Sequence, residues 1–255
     1  MTTTMKITEK VKGRIFIRGE LENISPLALS DGQTIYSDAD LYRDHQGKPM
    51  IPGTAFMGAL KSSIEENASD KVSTCIYDYL FGYRDKKGDR DVQSHFIIND
   101  LVCISDEIIT NIRDGVKIDP KTNLAVDKGK YEYEILEPGH SFSFEAEICM
   151  RHRVDEDEVD EMIRLIRVIL REESIFQVGA LTSFGFGQLK VKDMKRTPLL
   201  QGEAYFNYLE KNEVEWSEIE GDTKFELGIA TFRMELQPTT PLFIGGGANQ
   251  HPECR

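Results

Sequence analysis

Residues 235–244 of this chain begin again what residues 20–29 began. Glu20-Leu21-Glu22-Asn23-Ile24-Ser25-Pro26-Leu27-Ala28-Leu29 aligns with Glu235-Leu236-Gln237-Pro238-Thr239-Thr240-Pro241-Leu242-Phe243-Ile244 without a gap, at an offset of 215 residues. Each copy follows an alternating, strand-like run, Arg14–Arg18 in the first and Ala230–Met234 in the second. A period that long is the size of a domain, not of a solenoid repeat. The chain is therefore read as a complete domain over residues 1–196, an acidic linker over 197–227 and the first strand of a truncated second copy over 228–255. Two unrelated strands that each end in Ser/Thr-Pro-Leu are the alternative, since Pro often ends strands.

A net charge of −13 argues against a nucleic-acid partner only if it is spread evenly. It is not. The run 155–161 carries six acids and no base, and residues 203–226 carry eight acids against Lys211 and Lys224, so these stretches hold −6 and −6, or −12 in all. The remainder is near neutral, which leaves room for a local basic groove; phosphate contacts depend on local charge. The two acidic stretches themselves read as solvated faces. No apolar run reaches the roughly 18 residues of a membrane span, and Met1–Lys6 has no signal-peptide core. The four cysteines contain no Cys-x-x-Cys pair, so a reduced, cytoplasmic protein with no membrane partner is expected.

Along the chain, Val11–Leu21 alternates as a strand and residues 22–50 are irregular. Ala55–Glu66 reads as a helix with Thr54 as its N-cap. His95–Ser105 reads as a strand. Residues 112–134 carry the turn signals Asp114-Gly115, Asp119-Pro120 and Lys128-Gly129 and suggest an exposed hairpin-like arm. Strands follow at Glu132–Leu136 and Ser141–Cys149, then an amphipathic helix over Asp155–Glu172 and a closing strand at Gln188–Lys192. Strand, helix, strand, then strand, helix, strand is the order of an α+β, ferredoxin-like (RRM-like) fold with loop insertions. In RRM-type modules the sheet of such a fold is an RNA platform.

Two motifs carry chemistry. Ile51-Pro52-Gly53-Thr54-Ala55-Phe56-Met57-Gly58-Ala59-Leu60-Lys61 places a tight turn before a helix whose free N–H groups suit a phosphate, and Gly58 lets another backbone approach. Gly179-Ala180-Leu181-Thr182-Ser183-Phe184-Gly185-Phe186-Gly187 follows a helix, so it is neither a dinucleotide fingerprint nor a P-loop, but its backbone N–H groups can meet a phosphate chain. An ordinary capped helix and a tight turn are the structural alternatives.

In this order the two motifs resemble the Ile-Pro-Gly signature and the C-terminal glycine-rich loop of the RAMP superfamily, the RNA-binding subunits of CRISPR effector complexes. Leu80-Phe81-Gly82, the strand with Asn99-Asp100, and Asp114–Thr122 with Glu134–Phe142 resemble further elements of that family, the last its thumb hairpin. The likeness spans roughly residues 14–192 and is greatest to the repeated backbone subunit of type III complexes. One departure stands out: the glycine-rich stretch that follows the family's first strand is Leu27–Gly32 here, and Leu242-Phe243-Ile244-Gly245-Gly246-Gly247 fits it better.

The resemblance implies binding of CRISPR RNA and target RNA beside other effector subunits. It implies contacts from Thr54, Gly58, Lys61, Lys117, Thr182, Ser183, Gly185 and Gly187. It also implies cleavage of target RNA by an aspartate that holds Mg2+ or another divalent metal, a few residues before an Arg-Asp pair. Counting back from Arg43-Asp44 lands on Asp38, with Asp40 and Asp31 as alternatives. Some relatives carry a zinc knuckle near Leu-Phe-Gly; only Cys75 and His95 are close here, so no structural zinc is expected, and His140, Cys149 and His152 are read as packing or surface residues. Three rivals remain: a non-cleaving scaffold, a metal-independent guide-processing endonuclease and an acidic protein-interaction module.

Overall fold

The computed structural model describes residues 10–30, 39–68, 72–84, 91–151, 154–171, 176–211, 213–219, 234–235 and 237–240. Most of the second copy of the restart lies outside them, as do Asp31, Asp38 and His152.

The chain opens with the long strand β1 (Val11–Asn23), a short β2 (Met50–Ile51) and helix α1 (Gly53–Ala68). Helix α2 (Thr74–Phe81) and the short strands β3 (Tyr83–Arg84), β4 (Asp91–Val92), β5 (Phe96–Ile98) and β6 (Leu101–Val102) follow. Then come the hairpin β7 (Thr110–Ile118) and β8 (Ala125–Leu136), strand β9 (Ser141–Arg151), helix α3 (Glu156–Arg171) and strand β10 (Leu189–Arg196). Helix α4 (Gly202–Lys211) and strand β11 (Ser217–Glu218) complete the series.

The main sheet runs β11-β10-β1-β9-β5, with every pairing antiparallel. α1 carries the chain from β1 to β5 across β9, and α3 carries it from β9 to β10 across β1. Each helix thus joins two strands separated by one antiparallel neighbour, which is the split βαβ pattern of the ferredoxin-like fold. The α+β expectation is met, with β11 added at one edge.

Period-two burial sets the two faces of the sheet. Ile15, Ile17 and Leu21 of β1 and Phe142, Phe144 and Ile148 of β9 are buried, and α1 and α3 close over this side. Phe56 of α1 lies 5.5 Å from the Phe144 ring and 4.9 Å from Phe176. α3 buries Val159, Met162, Ile163, Ile166, Ile169 and Leu170, the whole apolar stripe of its sequence, each worth about 1.5–3 kcal/mol of burial. Arg196 pairs with Asp160 and so ties β10 to this helix.

Three expectations change. The strand expected over His95–Ser105 is broken at Asn99-Asp100 into β5 and β6, because the Asp100 carboxylate turns to accept the Gly53 N–H at 2.8 Å. For the same reason Thr54 is not the N-cap: the helix starts two residues earlier than expected, at Gly53, and Pro52 supplies the first carbonyl, to Ala55 at 2.9 Å and Phe56 at 3.0 Å. Finally, the sheet's outer face is not an open RNA platform at its centre. Residues 199–211 and 213–219 return across it. Phe16 packs against Tyr205 and Tyr208 of α4, Arg14 lies over the Tyr205 ring, and the Arg18 guanidinium sits 3.9 Å from the Trp216 ring centre. Among the described residues no helix is long and apolar enough to cross a membrane, which says nothing of β-barrels.

Candidate nucleic-acid interface

The segment that leaves β1 is the centre of this region. Asn23 is fully buried, with its amide donating to the Ser25 carbonyl at 3.1 Å and the Glu137 carbonyl at 2.9 Å, while its side-chain oxygen accepts the His140 N–H at 2.7 Å. Leu27 and Leu136 exchange backbone hydrogen bonds in both directions at 2.9 Å. The end of β1 is therefore sewn to the base of the β7–β8 hairpin. His140 completes that base. Its Nδ1 donates to the Glu137 carbonyl at 2.7 Å and its Nε2 accepts the Ile109 N–H at 3.0 Å, an arrangement that needs the neutral ring.

On the other side of Pro26–Ala28 lies the glycine-rich loop. Gly187 donates to the Pro26 carbonyl at 2.8 Å and Ala180 to the Ala28 carbonyl at 2.8 Å. A Cβ on Gly179 would stand 2.3 Å from the Ala28 oxygen, and one on Gly187 2.0 Å from the Val178 oxygen, both at positive φ. Inside the loop, Gln177 donates to the Thr182 and Phe186 carbonyls at 3.3 Å and 3.2 Å. Gly187 is thus a packing glycine. Gly185, at φ 82°, has open space where its Cβ would be, Ser183 is exposed and Thr182 half-buried, and Phe184 is 74% exposed.

The segment after residue 38 docks on the same hub. Tyr42 donates to the Leu29 carbonyl at 2.7 Å, and Met50 donates to the Tyr42 carbonyl at 2.9 Å. This small ladder leads into β2, Pro52 and α1. On α1, Thr54, Gly58 and Lys61 fall at i, i+4 and i+7, hence on one face. Thr54 and Gly58 are exposed, nothing stands within 4 Å of a Cβ placed on Gly58, and Lys61 is half-buried. The Asp100 carboxylate already takes the Gly53 N–H and places a negative charge at the helix start. That corrects the reading of this N-terminus as a set of free N–H groups.

Lys117 lies apart from the hub, on the exposed outer half of β7. That half also exposes Val116 and Ile118, with Leu124 at the tip 68% exposed, while Ile112 is exposed near the foot, where it pairs with Glu134. The tip is a defined turn: the Asp119 carboxylate accepts the Lys121 N–H at 2.7 Å, and Asn123 adopts φ 53°. Tyr131 lies over Gly115 and meets Tyr133 edge-on at 5.3 Å. Sequence reading placed the arm but passed over Ile112, Val116 and Leu124 as surface groups, although apolar residues inside a polar hairpin were the signal for them.

Of the acids near the Arg-Asp pair, Asp44 is a turn former. Its carboxylate accepts the Gln46 and Lys48 N–H groups at 2.8 Å and 2.9 Å, and these bonds, Lys48's first, lower its pKa. Asp40 is half-buried and also has an interaction partner. Among the described residues no three His, Cys, Asp or Glu side chains gather into a metal site. Asp38 lies outside the described residues. Away from this region, His95 stacks on Tyr79 at 4.1 Å and its Nε2 accepts the Arg151 Nε–H at 2.9 Å. Cys149 is buried and Cys75 exposed.

The RAMP superfamily profile matches residues 20–190, which takes in the end of β1, the hub, α1, the hairpin and the glycine-rich loop. The chain belongs to the RAMP superfamily. Among solved structures, this RAMP chain is similar to a chain of the cryo-EM structure of the type III-B Cmr-beta bound to cognate target RNA. The two share 13% identity and a TM-score of 0.52 over 72% of this chain and 61% of that one. The RAMP chain thus spans less than two thirds of that neighbour, and at this identity the likeness bears on fold. No curated protein matches.

Proposed function

We propose that this RAMP protein is a subunit of a type III CRISPR effector that binds CRISPR RNA and target RNA in the cytoplasm, alongside other effector subunits, and cleaves the target. Residues 228–255 are read as the start of a second repeat. One observation carries the reading. The family-like motifs, spread from Pro26 to Gly187, meet around a single segment at one end of the sheet. A packed core does not require exposed Ser183 and Phe184, the open Gly58 and Gly185, or an apolar-tipped arm on that side. A strand of RNA does: the loop offers the Thr182 and Ser183 side chains and the exposed Phe184 ring, α1 offers Thr54 and Lys61, and the arm offers Lys117 and apolar side chains for unstacked bases. The Cmr structure with cognate target RNA, a likeness in fold, points the same way.

Asp38 is proposed to hold Mg2+ or another divalent ion, which would neutralise charge developing on the scissile phosphate. RNA supplies the nucleophile. The 2′-hydroxyl gives up its proton to water as its oxygen bonds to the adjacent phosphorus, the bond to the 5′-oxygen breaks, and the departing 5′-oxygen takes up a proton from water. The chain's own groups then have to orient and unstack the strand, which the arm and loop are shaped to do. The test is the assembled complex with matching target RNA and Mg2+, wild type against Asp38→Ala. Regularly spaced cuts lost only in the variant support the reading. RNA bound by both with cleavage by neither would leave a scaffold, and no co-purifying RNA would favour the acidic interaction module.

A further inference from the structure

We propose that Glu134 is a positioning residue that couples the β7–β8 arm to the loop segment just after Asp38. The proposal rests on the reading of Asp38 as the metal-holding acid.

Glu134 sits on β8 at the foot of the arm, with its side chain 19% exposed. It makes three separate attachments to residues 39–43. Its backbone N–H donates to the Ala39 carbonyl at 3.0 Å. One carboxylate oxygen accepts the Leu41 N–H at 3.0 Å, and the other accepts the Arg43 guanidinium at 2.5 Å. Ala39 also pairs with Tyr133 in a parallel bridge. Arg43 uses a second nitrogen to donate to the Gly47 carbonyl at 3.1 Å, so the turn that follows is held by the same cation.

Two features set this apart from ordinary packing. A solvent-facing ion pair would be worth little, but here a mostly enclosed carboxylate is shared between a backbone N–H and a guanidinium, and such charge-assisted bonds are the strong ones. The attachment is also local. Leu41 and Arg43 lie three and five positions after Asp38 in the sequence, while Glu134 lies on the strand that continues into Tyr133 and Tyr131 of the arm. An arm displaced by RNA therefore pulls on the backbone next to the acid, and an arm seated on RNA holds it.

The experiment compares wild type, Glu134→Ala, Glu134→Gln and Asp38→Ala in the assembled complex. Cleavage turnover, target affinity, the Mg2+ concentration for half-maximal cleavage and amide hydrogen exchange are measured. In Glu134→Ala the Leu41 amide is expected to exchange about ten-fold faster, the scale of one lost charge-assisted hydrogen bond. Turnover should fall roughly 100-fold, the cost of an ångström of misplacement, with raised Mg2+ demand and unchanged guide and target binding. Glu134→Gln keeps an acceptor for Leu41 and the side-chain shape, so it should recover much of both effects and separate positioning from misfolding. Unchanged Leu41 exchange, or wild-type turnover with wild-type Mg2+ demand in Glu134→Ala, overturns the proposal while an inactive Asp38→Ala leaves the acid reading standing. An active Asp38→Ala overturns both.

Discussion

The glycine-rich loop holds two kinds of glycine that the sequence writes alike. Gly187 has φ 80° and a Cβ there would stand 2.0 Å from the Val178 oxygen; Gly185 has φ 82° and open space. Gly185→Ala should therefore cost only the left-handed strain, about 1–2 kcal/mol. Gly187→Ala should cost clearly more, because backbone rather than a side chain must give way; urea unfolding of the two variants checks the order. His95 gives a pH prediction. Burial, aided by the Arg151 charge, lowers its pKa below the ordinary 6.5, and the Tyr79 carbonyl opposes that only in part. Between the lowered folded value and 6.5 the unfolded chain binds more protons, so the His95 contribution is complete above that window and is lost as pH falls through it. The thermal midpoint of wild type should drop more steeply on acidification than that of His95→Gln, which keeps an acceptor for Arg151 and cannot take a proton.

At the scale of elements, α4 carries apolar groups on two sides. Tyr205 and Tyr208 face the sheet, Phe206 and Leu209 face out at 62% and 57% exposure, and no residue of the helix is buried. It is held by aromatic and cation–π contacts worth about 0.5–2 kcal/mol each, not by a core. The chain has a single tryptophan, Trp216, under the Arg18 guanidinium. Tyr208→Ala and Arg18→Ala should therefore shift Trp216 fluorescence towards that of a solvated indole at denaturant concentrations where far-ultraviolet dichroism is unchanged. At the other end of the fold, Asp100→Ala should destabilise by about 1–2 kcal/mol, as loss of a helix cap does. It should also strengthen RNA binding, because a carboxylate no longer competes at the α1 N-terminus; a filter-binding titration reads the second effect.

For the whole molecule the question is where an acidic protein holds a polyanion. The acids of 155–161 lie at the start of α3 and those of 203–218 on α4, on β11 and between the two, away from the loops that leave β1. Affinity for RNA should fall steeply with salt despite the net charge. Removing one phosphate contact by Lys61→Ala or Lys117→Ala should lower the slope of log affinity against log salt by about 0.7 each. The same substitution at Lys211, on the acidic helix, should leave the slope unchanged.

What the sequence determined by itself was the order of elements and the family. Alternation in β1, the apolar stripe of α3 and the turn signals of the arm are local patterns, and local patterns survive in one dimension. The Ile-Pro-Gly helix and the glycine-rich loop were legible for the same reason. Only the tertiary structure decided what those motifs touch. That Asp100 occupies the α1 N-terminus, that Tyr205 and Tyr208 cover the sheet, that Gly187 packs while Gly185 stands open, and that Glu134 reaches Leu41 and Arg43 across 93 and 91 residues are pairings between distant segments. Such pairings follow from which strands lie side by side. A carboxylate has the same one-letter code whether it caps a helix, clamps a loop or faces water, and the neighbour that chooses among these is supplied by the fold.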